Sequence, residues 1–296
     1  MITVFLRGGL GNQMFQYALG LHLAKRNHAD LHFDTTFLHD RFPRRQFTYR
    51  TFDLDIFAID PRFTALSKIS GTVPIPGLWL GADLASASVK DIFGTQRIIR
   101  EKKDGVFDPA VLTSPSSVFL YGFWQSEKYF AAIAEDVRQA FRFRYPLEGE
   151  ATNFADQIAA TNAVSVNVRR GDYLLSANLK RLGETGLSYY ERAAAYIAER
   201  IRDPHFFVVS DDVAWCREHL RLGFPTTYVS AASGGYKQNF HLQLISQCKH
   251  HIITNSTFGW WGAWLNRSPS KIVVAPKIWH SGMENDDIVP KEWIRL

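Results

Sequence analysis

The 296-residue sequence has only two cysteines, Cys216 and Cys248. Two thiols cannot form a disulfide framework or a cysteine-rich zinc site, so they favour a reduced, cytosolic setting. No apolar run approaches the roughly 18 residues that a transmembrane helix needs. The apolar start, Met1 to Leu6, is interrupted by Arg7, which makes it too short for the core of a signal peptide. These absences predict a cytoplasmic protein.

Several catalytic signatures are also missing. The glycine-rich turn from Gly8 to Gln13 lacks the lysine and hydroxyl residue of a P-loop, which argues against NTP hydrolysis. There is no GxSxG nucleophile elbow, and the ten histidines show no HExxH pattern. The formal net charge of +5 fits a protein that meets phosphate groups. By itself it does not separate a nucleotide from a nucleic acid or a lipid headgroup.

Apolar runs alternate with segments of helical periodicity along most of the chain. The predicted strands are Ile2–Leu6, Leu31–Phe33, Val118–Tyr121, Ala163–Val168, His205–Val209, Thr226–Val229, His251–Thr254 and Lys271–Ala275. The predicted helices are Met14–Ala24, Glu127–Phe141, Tyr189–Ile201 and Phe240–Cys248, and the segment from Thr35 to Pro115 predicts loops and short helices. This alternation predicts an α/β protein with parallel sheets covered by helices on both faces. At roughly 150 residues per domain, we expect two domains, 1–150 and 151–296, with a boundary near Pro146 to Asn153.

Polar segments follow several predicted strands, at the sheet edge where α/β proteins bind ligands. These segments are Gly8–Gln13, Arg169–Asp172, Ser210–Asp212 and Asn255–Thr257. Two adjacent arginines beside a helix N-terminus predict an anion site, because guanidinium groups and free N–H groups both bind phosphate oxygens. An interdomain salt bridge is the alternative for the arginines. A tight turn is the alternative for the glycines, and a helix cap or a Mg²⁺ site for the aspartates.

Four segments together carry a resemblance: GGLGNQMFQY (8–17), GFWQSEKYF (122–130), VNVRRGDY (166–173) and TNSTFGWWGAWL (254–265). Their ordered set resembles the bacterial α-1,2-fucosyltransferases of glycosyltransferase family 11. The resemblance implies a GT-B fold, with two Rossmann-like domains facing a central cleft. The N-terminal domain would serve the acceptor and the C-terminal domain would bind the nucleotide sugar. It further implies inverting transfer of L-fucose from GDP-fucose, in α-1,2 linkage, to a galactoside of a bacterial surface glycan. No metal or other cofactor is required, and no nucleic acid partner is expected.

The resemblance also assigns roles to residues. It places Arg169, Asp172 and Asn12 in catalysis, with Arg169 stabilising charge on the β-phosphate and Asp172 acting as base or orienting Arg169. The expected donor-binding residues are Gly9, Gly11, Asn167, Arg170, Asp211, Asp212, His241, Asn255, Ser256, Thr257 and Phe258.

Three positions depart from the family pattern. Asn167 stands where the family usually has His, and His241 where it usually has Asp. Gly259 replaces a commoner Ser, which we expect to have little consequence. The first two changes leave another deoxysugar nucleotide as an alternative donor. A non-catalytic nucleotide- or glycan-binding module is a further alternative for the function. For the location, peripheral contact with the inner face of the bacterial inner membrane is an alternative to the cytoplasm alone.

Overall fold

The computed structural model describes residues 1–39, 48–64, 96–171, 185–279 and 287–296. The chain divides into two units, Met1–Arg142 and Phe143–Leu296. This division precedes the predicted boundary region, and part of that polar stretch is the start of a helix, Glu150–Ala160. In the part of the chain described, no helix is long and apolar enough to cross a membrane.

The first unit contains a parallel sheet in the strand order β2-β1-β4-β3. Its strands are β1 Ile2–Phe5, β2 Leu31–Asp34, β3 Arg97–Arg100 and β4 Val118–Tyr121. Its helices are α1 Leu10–Arg26, α2 Thr36–His39 and α3 Ala134–Ala140. Every residue of β1 is buried, as expected for the centre of a parallel sheet.

Two elements of this unit differ from the prediction. Strand β3 lies in the aperiodic stretch, and it escapes a pattern search because as an edge strand it exposes Arg97 and Arg100. The predicted helix Glu127–Phe141 is instead two 3₁₀ turns followed by α3. The break falls at Phe130, which leaves the helical backbone conformation and buries its ring near Phe15. Tertiary packing of this aromatic ring overrides the helical periodicity.

The second unit contains a parallel six-stranded sheet in the order β10-β9-β8-β5-β6-β7. Its strands are β5 Asn162–Val168, β6 Pro204–Ser210, β7 Thr226–Tyr228, β8 His250–Ile252, β9 Val273–Ala275 and β10 Ile294–Arg295. Its helices are α4 Glu150–Ala160, α5 Leu187–Ala198, α6 Val213–His219, α7 Asn239–Gln247 and α8 Thr257–Leu265.

Alternate residues of β5 and β6 enter two separate cores in this unit. Val164 and Val166 pack on one face with residues of α5, whereas Ala163 and Phe207 pack on the other with residues of α4 and α7. Both faces of the sheet are therefore covered, as predicted. The two cysteine side chains lie in these cores, one in each, and burial raises the pKa of both thiols.

The strand order reverses at one place in each sheet. Strands β6 and β7 extend the second sheet on one side of β5, and β8 to β10 extend it on the other. In the first sheet, β2 and β4 flank β1. At such a switch point the loops after neighbouring strands leave in opposite directions and open a crevice where ligands bind. Ligands are therefore expected at two places: at the loops after β5 and β8, and at those after β1 and β4.

Candidate functional site

The turn after β5 is held by the carboxylate of Asp211. Its Oδ1 accepts a hydrogen bond from the backbone N–H of Arg170 at 2.9 Å, and its Oδ2 accepts one from that of Gly171 at 3.0 Å. The same Oδ2 lies 3.1 Å from Nη1 of Arg169. A Cβ at Gly171 would lie only 2.7 Å from Asp211 Oδ2, so this close approach requires glycine. Asp211 thus shapes the turn and orients Arg169.

The two arginines differ in their surroundings. The guanidinium carbon of Arg170 lies 3.5 Å from the ring centroid of Trp215, and its Nε lies 3.4 Å from Asp212 Oδ2. Asp212 also caps α6 by accepting from the N–H of Trp215 at 3.1 Å. The side chain of Arg170 is 17% exposed, against 30% for Arg169. Arg169 therefore offers more of its guanidinium group to an anion.

The loop after β8 brings a helix N-terminus to the same edge of the sheet, because β8 pairs with β5. Asn255 is buried, and its Nδ2 donates to the Trp279 carbonyl at 3.2 Å. Ser256 occupies the N-cap position of α8, but its side chain makes no capping hydrogen bond. Thr257 and Phe258 form the first turn. The N-terminal amides of α8 add positive potential beside the arginine turn, which suits an anion.

Asn167 and Gly259 form a matched pair. Asn167 is 5% exposed, and its Oδ1 is buried with no hydrogen-bond partner in the described ranges. A Cβ at Gly259 would lie 2.4 Å from that oxygen and 3.0 Å from the Asn167 Cβ. The expectation that Gly259 has little consequence is therefore wrong, because Asn167 occupies the space that a side chain at position 259 would need.

His241 lies on α7 and is buried. Its Nε2 lies 3.0 Å from the carbonyl oxygen of Ser230, to which it can donate, and burial lowers the pKa of the imidazole. The ring is therefore neutral near pH 7, and its Nε2–H holds the turn after β7. A carboxylate at this position could not donate that hydrogen bond.

The predicted residues Gly9, Gly11 and Asn12 lie at the carboxyl edge of the first sheet. Gly8 has a φ of +78°, and a Cβ there would lie 2.4 Å from Asn12 Nδ2, so this turn requires glycine. Gly9 precedes α1, and Gly11 is buried in its first turn. Asn12 Oδ1 accepts from Gln125 Nε2 at 2.7 Å. That contact joins the first turn of α1 to the loop after β4.

No role was predicted from the sequence for two buried glutamines of α1, although polar residues on a buried helix face are a signal that a sequence can show. Gln13 donates to the Gly8 carbonyl at 2.9 Å, and Gln16 donates to the Gly122 carbonyl at 3.0 Å. Both side chains therefore hold the loops at this edge. Asp172, predicted to be catalytic, lies outside the described residues. Within the residues described, no group of three or more His, Cys, Asp or Glu could hold a metal ion.

Two relatives from Escherichia coli match the chain over essentially its full length, and a human relative matches most of it. It is 33% identical to the α-1,2-colitosyltransferase of Escherichia coli, covering 100% of this chain and 99% of that protein. It is 30% identical to the O-antigen biosynthesis glycosyltransferase WbnK of Escherichia coli, covering 98% and 99%. Human galactoside α-(1,2)-fucosyltransferase 1 is 28% identical, covering 89% of this chain and 65% of that protein.

The fold and the family are both supported by comparison. The crystal structure of the fucosyltransferase NodZ from Bradyrhizobium matches with a TM-score of 0.50 and 12% identity, covering 88% of this chain and 91% of that one. This likeness and the two parallel sheets confirm the predicted α/β, GT-B fold class. The family model for glycosyl transferase family 11 matches residues 89–296. With the full-length identity to the colitosyltransferase, this shows that the chain belongs to glycosyltransferase family 11.

Proposed function

We propose that this chain is an inverting glycosyltransferase that moves L-fucose from GDP-fucose, in α-1,2 linkage, to a galactoside of a bacterial surface glycan. One observation carries the proposal: the partly exposed guanidinium of Arg169, oriented by Asp211, lies at the switch point where α8 also begins. The two features together suit a diphosphate better than a single carboxylate. Asp211, an ion-pair partner of Arg169, lies in the same unit, which favours an anion site within that unit over an interdomain salt bridge.

The reaction requires little acid–base chemistry from the protein. The acceptor hydroxyl oxygen attacks the anomeric carbon, and the bond from that carbon to the β-phosphate oxygen breaks. The electron pair leaves with the nucleoside diphosphate, and the acceptor proton passes to a base or to solvent. Arg169 and the amides of α8 stabilise the charge that grows on the β-phosphate. We propose that Asp172 acts as this base or joins Asp211 in orienting Arg169.

The donor sugar has two candidates among the relatives. The human relative is named for transfer of fucose, and the Escherichia coli relative for transfer of colitose, which is fucose without its 3-hydroxyl group. The name of the second Escherichia coli relative supports a surface-glycan acceptor. Both Escherichia coli relatives are also named as transferases, which favours catalysis over a non-catalytic binding module.

GDP is expected to bind about tenfold or more tightly than UDP, dTDP or CMP, as measured by isothermal titration calorimetry. A pocket built for the guanine N–H donors would leave its acceptors unpaired by a pyrimidine, at about 1–3 kcal/mol each. The carboxylates of Asp211 and Asp212 already accept hydrogen bonds within the protein. Backbone carbonyl groups are therefore the favoured acceptors for guanine.

Turnover of GDP-fucose and GDP-colitose, assayed on the same galactoside, then separates the two sugars. We expect GDP-fucose to be the better donor. Faster turnover of GDP-colitose would identify colitose as the transferred sugar and leave GDP as the donor nucleotide. Tighter binding of UDP or dTDP would overturn the donor nucleotide, and the absence of any turnover would favour the binding module.

Transfer activity is expected to survive excess EDTA. Both oxygens of Asp211 accept backbone N–H groups, and Asp212 caps a helix, so each carboxylate already has a role without a metal. Arg169 and the α8 amides supply the positive charge that a metal would otherwise bring to the diphosphate. The measurement is the initial rate with and without the chelator. Loss of activity that Mg²⁺ or Mn²⁺ restores would contradict this expectation.

A further inference from the structure

Glu101 lies directly after β3 and reaches across to the loop that follows β4. Its Oε2 accepts from the N–H of Phe123 at 2.6 Å, and its Oε1 accepts from the N–H of Trp124 at 3.1 Å. A Cβ at Gly122 would lie 2.5 Å from the Glu101 Cβ, so the segments after β3 and β4 approach closely here. One carboxylate thus binds two consecutive amides of the neighbouring loop.

The loop that Glu101 holds has a strained backbone. Trp124 has a φ of +58°, a left-handed conformation that is rare and costly for a bulky residue. Its indole is fully buried, and the indole N–H has no acceptor among residues the structure describes. Such a conformation persists only where its surroundings impose it, and strain of this kind clusters at functional sites. Glu101 supplies one of those constraints directly.

The strained residue precedes Gln125, which contacts Asn12. The Gln125 amide is mostly buried and donates to Asn12 Oδ1 at 2.7 Å. This bond crosses the switch point between β1 and β4. It also fixes which end of the Asn12 amide is occupied: Oδ1 is bound to Gln125, and Nδ2 lies against Gly8. A continuous series of contacts therefore runs from Glu101 through Trp124 and Gln125 to Asn12.

The charge state of Glu101 controls these contacts. The pKa of its carboxyl group is raised to about 7, chiefly by burial and secondarily by the nearby Asp104, while the two amide hydrogen bonds and Arg7 on the β1 side oppose the shift. The ionised group can accept both amides, whereas a protonated group loses one acceptor position. The two-amide contact is therefore lost as the pH falls below about 7. Because folding raises this pKa, the folded protein favours the protonated carboxyl group. The contribution of Glu101 to the free energy of unfolding is therefore greatest below about pH 4.5 and is lost as the pH rises through about 7.

We propose that Glu101 is a positioning residue for the acceptor side of the transfer reaction. Its ionised carboxylate holds the loop at Phe123 and Trp124, so that Gln125 presents Asn12 to the acceptor hydroxyl. The inference rests on the proposed function and on the role in catalysis that the family resemblance implies for Asn12.

The first test is Glu101→Gln, with Glu135→Gln as the matched control, since Glu135 is an exposed glutamate of the same unit. We expect kcat/KM for the acceptor to fall by about tenfold or more, because small displacements of a positioning group are costly. GDP binding should stay within about twofold of the wild-type value. The wild-type and control proteins should lose acceptor kcat/KM as the pH falls below about 7, and Glu101→Gln should lack that dependence.

A second variant covers the case in which Glu101→Gln does not fold. Gln125→Met removes the donor to Asn12 and leaves both Glu101 hydrogen bonds in place. It should show the same loss for the acceptor, a nearly unchanged Kd for GDP, and a weakened pH dependence, because the contact through which Glu101 acts on Asn12 is gone. Wild-type acceptor kinetics in either folded variant would overturn the inference while leaving the proposed function intact. A wild-type protein that transfers no sugar would instead overturn the proposed function.

Discussion

Replacement of Arg169 by alanine is expected to lower kcat/KM by about 100-fold or more, because the lost contact strengthens as the diphosphate leaves. The guanidinium is held 3.1 Å from Asp211 Oδ2, so it is oriented before substrate binds and needs no reorganisation in the transition state. Arg169→Lys should recover little activity, since an ammonium group cannot supply a planar pair of donors to the phosphate and to Asp211 together.

The matched control for Arg169 is Arg202→Ala, which removes a highly exposed arginine of the same unit. We expect wild-type kinetics for this control. Thermal unfolding of all three variants shows whether a lost rate reflects lost structure. Near-normal kcat/KM in both Arg169 variants would show that Arg169 does not take part in the reaction, and would contradict the proposed phosphate site.

Gly259→Ala is expected to lower the free energy of unfolding by about 1–3 kcal/mol, because the added methyl group overpacks a closed contact. Its Cβ would lie 2.4 Å from Asn167 Oδ1, and either the Asn167 side chain or the first turn of α8 must move. Both border the proposed diphosphate site, so we also expect transfer activity to fall by about tenfold or more. Denaturant unfolding and steady-state kinetics measure the two effects.

A double-mutant cycle identifies the contact responsible. Asn167→Ala removes the oxygen and leaves the Cβ 3.0 Å from the new methyl group, so it should partly relieve the strain in Gly259→Ala. We expect a coupling energy of about 1 kcal/mol. Gly186→Ala is the control, because a Cβ there meets nothing within 4 Å. If the two substitutions act additively, the matched-pair interpretation is wrong.

The fold was largely predictable where periodicity is strong. Strand β4 has its predicted bounds, and β5 and β6 differ from theirs by one residue at each changed end. Edge strand β3 was missed because its side chains follow no burial pattern. The helix break at Phe130 was missed because it depends on packing against a distant aromatic ring.

The candidate site was predictable as a location and not as a set of contacts. The rule that ligands bind at strand carboxyl ends selected the edge of the sheet where the structure places Arg169 and Asp211. It could not show that Asp211 binds the amides of the arginine turn, or that Gly259 abuts Asn167, because both contacts join residues far apart in the sequence. The role of Glu101 could not be predicted for the same reason, since its hydrogen-bond partners lie in the loop after β4.

The burial of both cysteines has a practical consequence for chemical biology. Alkylating and disulfide-exchange reagents react with an accessible thiolate, and here burial removes access and raises the pKa of each thiol. A single cysteine introduced on the surface would therefore be the preferred point of attachment in the folded protein. Such a variant could carry a tethered saccharide library or a fluorescent label without prior removal of the native thiols.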